Sequence, residues 1–85
     1  MFENYPNPAS SITTISFEVP VQSKIKIDMY DSFGKKIREL VNGNFPSGKH
    51  QIQLNIAEFA DGVYYYRLES ATKILTKKLL VFSGN

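Results

Sequence analysis

Apolar and polar residues alternate along most of this chain, which is the pattern of β-strands that bury one face. The clearest case runs from Lys24 to Tyr30, where Lys24, Lys26 and Asp28 alternate with three large apolar residues. Turn residues separate one alternating segment from the next. The pattern predicts six strands: Thr13 to Val19, Lys24 to Tyr30, Lys35 to Val41, Lys49 to Ile56, Gly62 to Leu68 and Lys73 to Phe82.

The tyrosine-rich segment from Gly62 to Leu68 is predicted to be a central strand, because aromatic and β-branched residues dominate it. Asp61-Gly62 is the turn signal that precedes it. The segment from Lys35 to Val41 alternates least regularly, with Ile37, Glu39 and Val41 on one face, and is predicted to be an edge strand.

The last predicted strand is apolar on both faces towards its end. Leu79 and Val81 share one face, and Leu80 and Phe82 share the other. A thin sandwich buries only one face of a strand, so this segment is predicted to meet a partner.

Turn chemistry marks the connections between the strands. Asp31 to Gly34 has aspartate at the first position of a four-residue turn and glycine at the last. Asn42-Gly43 and Pro46-Ser47-Gly48 are predicted to bracket a longer loop that carries Phe45. Phe59 is predicted to plug one end of the fold, and residues 1–11 form a turn-rich lead-in.

Six strands, or seven if the lead-in adds one, separated by frequent turns, predict one all-β domain over residues 1–85. The expected architecture is an immunoglobulin-like Greek-key β-sandwich of about seven strands. The eleven Phe and Tyr rings of the chain supply much of the core such a sandwich needs.

Composition excludes several kinds of site. The chain has no cysteine, so it has neither a disulfide nor a thiolate metal site, and its one histidine, His50, cannot build a zinc site alone. The net charge of +2 is too small and too dispersed for a nucleic-acid surface. No apolar run approaches the roughly 20 residues of a membrane-spanning helix.

No catalytic arrangement is evident, and we expect no enzyme activity, cofactor, metal or small-molecule substrate. The serines lack a nucleophile-elbow motif. His50 shares a strand face with Ile52 and Leu54, which favours packing over a ligand role. The run from Tyr64 to Tyr66 favours structural tyrosines over an exposed sugar-binding platform.

Several short motifs, in this order and spacing, resemble the type A C-terminal sorting domain of the type IX secretion system of Bacteroidetes-type bacteria. The resemblance covers Asn4 to Phe82. The motifs are Asn4-Tyr5-Pro6-Asn7-Pro8, Thr13-Thr14-Ile15-Ser16-Phe17, Tyr30-Asp31-Ser32-Phe33-Gly34-Lys35, Val41-Asn42-Gly43, Ser47-Gly48-Lys49-His50, Phe59-Ala60-Asp61-Gly62-Val63-Tyr64, Arg67-Leu68 and Lys77-Lys78-Leu79-Leu80-Val81.

The resemblance implies a non-catalytic signal fused behind a secreted cargo. Such a domain carries its cargo from the periplasm through an outer-membrane translocon, and a surface sortase then removes it for surface attachment or release. The implied motif positions are Asp31, Gly34, Lys35, Gly62 and Tyr64. The implied translocon recognition segment is Lys77, Lys78, Leu79, Leu80 and Val81. The chain opens on Met1-Phe2-Glu3-Asn4 with no secretory signal, so it is interpreted as part of a longer protein.

Two other functions remain open at this stage. A structural immunoglobulin-like module, similar to the one in flagellar hook-capping proteins, packs against protein neighbours and is never cleaved. A carbohydrate-binding module would use Tyr64 or Tyr66 as an exposed platform, and it requires coplanar exposed rings.

Overall fold

The computed structural model describes residues 3–5, 11–57 and 59–82. Residues 1–2 and 6–10 of the predicted lead-in, residue 58 and the tail, residues 83–85, lie outside them. The described residues form seven strands: β1 (Glu3–Tyr5), β2 (Ile12–Val19), β3 (Ser23–Tyr30), β4 (Lys36–Phe45), β5 (Gly48–Asn55), β6 (Gly62–Glu69) and β7 (Ile74–Val81).

The strands form two antiparallel sheets that pack as a sandwich. The three-stranded sheet has the order β1-β2-β5, and the four-stranded sheet has the order β4-β3-β6-β7. The chain changes sheet after β2, after β4 and after β5, so strands adjacent in sequence are often in different sheets. This confirms the all-β sandwich expected from the alternation, with six long strands and the three-residue β1 from the lead-in.

The core consists of the inward rows of the two sheets. Strand β3 contributes Ile25, Ile27 and Met29, as the alternation predicts, and the central strand β6 contributes Tyr66 and Leu68. The other buried apolar residues are Ile15, Phe17, Val19, Leu54, Ile56, Leu79 and Val81.

Strand β4 is the edge strand that its weak alternation predicts, but its length and faces were predicted wrongly. Its pairing with β3 continues to Phe45, so Asn42-Gly43 lies within the strand and not in a loop. The register shifts twice, and the first shift lets both Leu40 and Val41 pack against the core. A bulge of this kind breaks the period of two, which is why Ile37, Glu39 and Val41 do not share one face.

Candidate functional site

Three of the motif segments meet at one end of the four-stranded sheet. Tyr30, at the end of β3, pairs with Lys36 of β4 on one side and with Tyr65 of β6 on the other. Tyr65 in turn pairs with Lys78 of β7. The Asp31–Lys35 turn, the start of β6 and the end of β7 are therefore neighbours, and we call this region the motif end.

The Asp31 side chain holds the turn between β3 and β4 in shape. Its Oδ1 accepts hydrogen bonds from the backbone N–H groups of Phe33 and Lys35, each at 2.9 Å. Gly34 has a φ of +86°, a left-handed conformation in which a side chain would be strained. The turn therefore projects the Phe33 ring into solvent, where it is 94% exposed.

Replacing Asp31 with alanine is expected to lower the free energy of unfolding by about 1–2 kcal/mol, because two backbone donors lose a charged acceptor. Denaturant unfolding followed by circular dichroism measures this loss. The matched control is Asp31→Asn, which keeps one side-chain oxygen as acceptor and is expected to lose less than half as much. Equal losses for both variants would contradict the assigned role of Oδ1.

The start of β6 is anchored by Tyr64. Its hydroxyl donates a hydrogen bond to the backbone oxygen of Ala60 at 2.6 Å. Its ring lies 5.9 Å from the ring of Phe59, and the Arg38 guanidinium stacks over Phe59 at 4.8 Å. Phe59 thus packs against the core at this end of the sandwich, as predicted.

Removing the Tyr64 hydroxyl, in Tyr64→Phe, is expected to cost about 1 kcal/mol of stability, since the ring packing stays and only the bond to Ala60 is lost. Tyr65→Phe, on the opposite face of the same strand, is the matched control and should change stability by less than about 0.5 kcal/mol. A thermal unfolding comparison of the two variants with the parent chain checks this. A shift confined to the control would overturn the assignment.

The recognition segment predicted from the sequence, Lys77 to Val81, lies in β7 at the edge of the four-stranded sheet. Leu79 and Val81 belong to the core, whereas Lys77 and Lys78 are exposed. Leu80 is half-buried on the outer face, and Phe82, just beyond the strand, is 58% exposed. The two faces of this segment are thus apolar for different reasons. Leu79 and Val81 pack in the core, whereas Leu80 and Phe82 place apolar side chains on the surface of the motif end.

Comparison with protein families identifies the family of the chain. The model of the family described as "Secretion system C-terminal sorting domain" matches residues 3–82, nearly the whole chain. The chain belongs to this family. No curated protein matches it. The family implies a type IX secretion signal that has a cargo on its N-terminal side and interacts with the secretion machinery.

The family is a sorting signal and not a catalytic family. It implies export of the sorting domain and its cargo towards the outer membrane and the cell surface or the extracellular space. Within the part of the chain that the structure describes, no group of three or more His, Cys, Asp or Glu residues is placed to hold a metal ion. Nor do these residues include a helix with the length and apolarity needed to cross a membrane.

The sorting domain also has a charged outer face that the sequence pattern did not reveal. Asp28 points away from the core, as predicted, yet it is only 2% exposed. The ammonium groups of Lys26 and Lys36 cover it, at 3.5 Å and 3.3 Å from its two carboxylate oxygens. Alternation gives the face of a strand, but it does not show that long side chains on the same strand and on the neighbouring strand cover a short one.

Arg67 belongs to the same outer face. Its guanidinium stacks over the Tyr30 ring at 4.9 Å and donates a hydrogen bond to the Tyr30 hydroxyl at 2.6 Å. It also pairs with Glu69 at 2.9 Å. The Arg67-Leu68 motif of the sorting domain therefore has a structural explanation: Arg67 ties β6 to β3 on the outside, while Leu68 packs on the inside.

His50 and the tyrosine run have structural roles in the sorting domain. The Nε2 atom of His50 lies 2.8 Å from the backbone oxygen of Pro46, and its ring stacks on Phe17. This supports packing over ligand binding. Tyr66 is fully buried and Tyr64 is half-buried, so these two rings do not form the exposed platform that a carbohydrate-binding module requires.

Proposed function

We propose that the sorting domain is recognised by an outer-membrane translocon at its motif end and along the edge of β7. The observation that carries this proposal is that the residues from Lys77 to Val81 have two different environments. Leu79 and Val81 fix the segment to the core, while both lysines are exposed to solvent and β7 lies at the edge of its sheet. A segment of this kind is held in a defined shape and is still accessible to a receptor.

An edge strand offers a receptor two kinds of contact. Its outward backbone N–H and C=O groups can pair with a strand of another protein, which gives affinity. The side chains beside that edge give selectivity, and here they are the ammonium groups of Lys77 and Lys78. The exposed rings of Phe33 and Phe82 supply apolar contacts at the same end.

The proposed sequence of events starts in the periplasm, where the folded domain is attached to the C-terminal side of its cargo. Recognition at the motif end brings the cargo through the outer membrane. A surface sortase then cuts before Asn4 and joins the cargo to anionic lipopolysaccharide or releases it. Flexible segments ahead of a compact domain are where proteases cut, which favours this position. Finding a mature cargo end beyond Thr13 would contradict it.

A structural assembly module is the second candidate, since the same edge could pack permanently against a protein neighbour. The two functions differ in their outcome for the fused protein. A sorting signal moves its cargo across the outer membrane, whereas an assembly module leaves the cargo where the parent chain resides.

The test is export of a reporter. Residues 1–85 are fused to the C-terminus of a fluorescent protein with a signal peptide, in a bacterium with a type IX system, and fluorescence is measured in the periplasm, on the surface and in the medium. We expect most of the reporter outside the cell. Retention of a folded fusion in the periplasm would overturn the proposal.

A truncation before Lys77 is a poor control for this assay. It removes Leu79 and Val81, which are core residues, so loss of export would report unfolding as well as loss of recognition. Substitutions at the exposed lysines keep the core and separate the two effects.

A further inference from the structure

The two edges of the four-stranded sheet differ in regularity. Strand β4 forms one edge, and its register with β3 shifts twice. Strand β7 forms the other edge, and it pairs with β6 along its whole length, Ile74–Val81, without a register shift. Bulges and short edge strands are devices that keep natural sheets from pairing with other strands. Strand β7 has neither device, because its eight residues pair in one continuous register.

The two lysines in the middle of β7 lie on opposite faces of the sheet. Residues directly opposite each other in an antiparallel pair share a face. Lys77 is opposite Tyr66, which is buried in the core, so Lys77 belongs to the inner row of the sheet. Lys78 is opposite Tyr65 and belongs to the outer face. Because both lysines are exposed, a strand added to this edge meets one ammonium group on each of its faces.

A second copy of the sorting domain is a poor occupant of this edge. When two β7 strands join antiparallel with their inner rows on the same side, two registers pair all but one residue of each strand. One of these registers places Lys77 opposite Lys77 of the other copy, and the other places Lys78 opposite Lys78. Like charges directly opposite each other destabilise a strand pair. An inward-pointing charge on an edge strand, such as Lys77, also opposes such pairing.

We propose that the β7 edge accepts an extended segment with two adjacent carboxylate side chains and rejects a second copy of the sorting domain. Adjacent side chains of a strand point to opposite faces of the sheet. One carboxylate therefore meets Lys77 in the inner row, and its neighbour meets Lys78 on the outer face. Opposite-charge pairs across two strands stabilise the pairing, whereas the lysine-lysine contacts of two identical strands oppose it.

The side chains beside the lysines add to the description of this segment. Leu75 is opposite Leu68 in the inner row and is 42% exposed. In an antiparallel strand, an apolar residue two positions after the second carboxylate lies opposite Leu75 and covers it. This inference rests on the proposed function and names the chemistry of its partner, an acidic strand of the secretion machinery. Rejection of a second copy keeps the β7 edge uncovered until the sorting domain meets that partner.

Sedimentation equilibrium of the isolated 85-residue chain tests the rejection of a second copy. We expect K77V/K78T to raise the self-association constant about tenfold or more, because strand-forming residues replace the opposed lysines. The matched control, K24V/K73T, makes the same changes at two exposed lysines outside β7 and should change this constant by less than about threefold. Equal association of the two variants, or no increase for K77V/K78T, would overturn the inference.

A peptide titration followed by the amide resonances of β7 tests the preference for carboxylates. The probe is the capped peptide Val-Glu-Glu-Thr-Val-Thr, whose glutamates lie opposite Lys78 and Lys77 in antiparallel register. We expect it to shift the β7 amide resonances and to bind at least about tenfold more tightly than Val-Lys-Lys-Thr-Val-Thr. Equal binding of the two peptides, or no shift with either, would overturn the inference.

The charge-reversed chain K77E/K78E is the matched control for the titration. It should prefer the lysine peptide, because the charges of the two partners are exchanged. A preference that stayed with the glutamate peptide would also contradict the inference. Neither experiment measures export. Failed export with the expected peptide binding would therefore contradict the proposed function alone, and normal export without this binding would contradict this inference alone.

Discussion

Replacing Tyr66 with alanine is expected to remove a large share of the free energy of unfolding of the domain. Tyr66 is fully buried in the central strand β6 and is the largest of the fully buried side chains in the described part of the chain. Large aromatic-to-alanine changes in cores cost about 3–5 kcal/mol. A chain of 85 residues has a total stability of only about 4–13 kcal/mol, so this loss is a large share.

The neighbouring Tyr65→Ala is the matched control for Tyr66→Ala. It removes the same side chain from the outer face of the same strand, where Tyr65 is only half-buried, and we expect it to cost no more than about 1.5 kcal/mol. Guanidinium unfolding of both variants, followed by far-ultraviolet circular dichroism, gives the comparison. If Tyr65→Ala proved the more damaging change, the assignment of inner and outer faces in β6 would be wrong.

Reversing the two charges of Lys77 and Lys78 is expected to abolish most export while leaving the fold intact. Both ammonium groups are exposed, so K77E/K78E should change stability by less than about 1 kcal/mol in total. A receptor surface that is complementary to two cations repels two carboxylates. The exported fraction of the reporter fusion should therefore fall about tenfold or more.

A charge-matched control for K77E/K78E is K24E/K49E, which reverses two exposed lysines near the opposite end of the sandwich. It should be exported like the parent fusion. Leu79→Ala serves as the comparison for folding, since it weakens export only by weakening the core. Normal export of folded K77E/K78E would exclude the lysines as recognition residues.

The strands and the sandwich could be predicted from the sequence because their side chains alternate with a period of two. In β3, for example, Ile25, Ile27 and Met29 face inward as predicted. The end of strand β4 and the faces of its side chains could not be predicted in this way. Its two register shifts are set by its pairing with β3, and the local pattern of Ile37, Glu39 and Val41 contains no signal for them.

The candidate site was predictable in part. The sequence motifs singled out Asp31, Gly62 and the segment from Lys77 to Val81. That these residues lie close together depends on the strand order β4-β3-β6-β7, which the alternation of side chains does not give. The burial of Asp28 and the stacking of Arg67 on Tyr30 also require the register between strands. Side chains that meet across a sheet from distant parts of the chain are visible only once that register is known.

Site-specific photocrosslinking during export tests recognition at the β7 edge most directly. A photoreactive side chain at Thr76, exposed on β7 next to the lysines, is compared with one at Gln53, exposed on β5 in the other sheet. Recognition at the β7 edge predicts adducts with an outer-membrane protein of the secretion machinery from position 76 and few from position 53. Adducts mainly from position 53, or equal adducts from both positions, would contradict it.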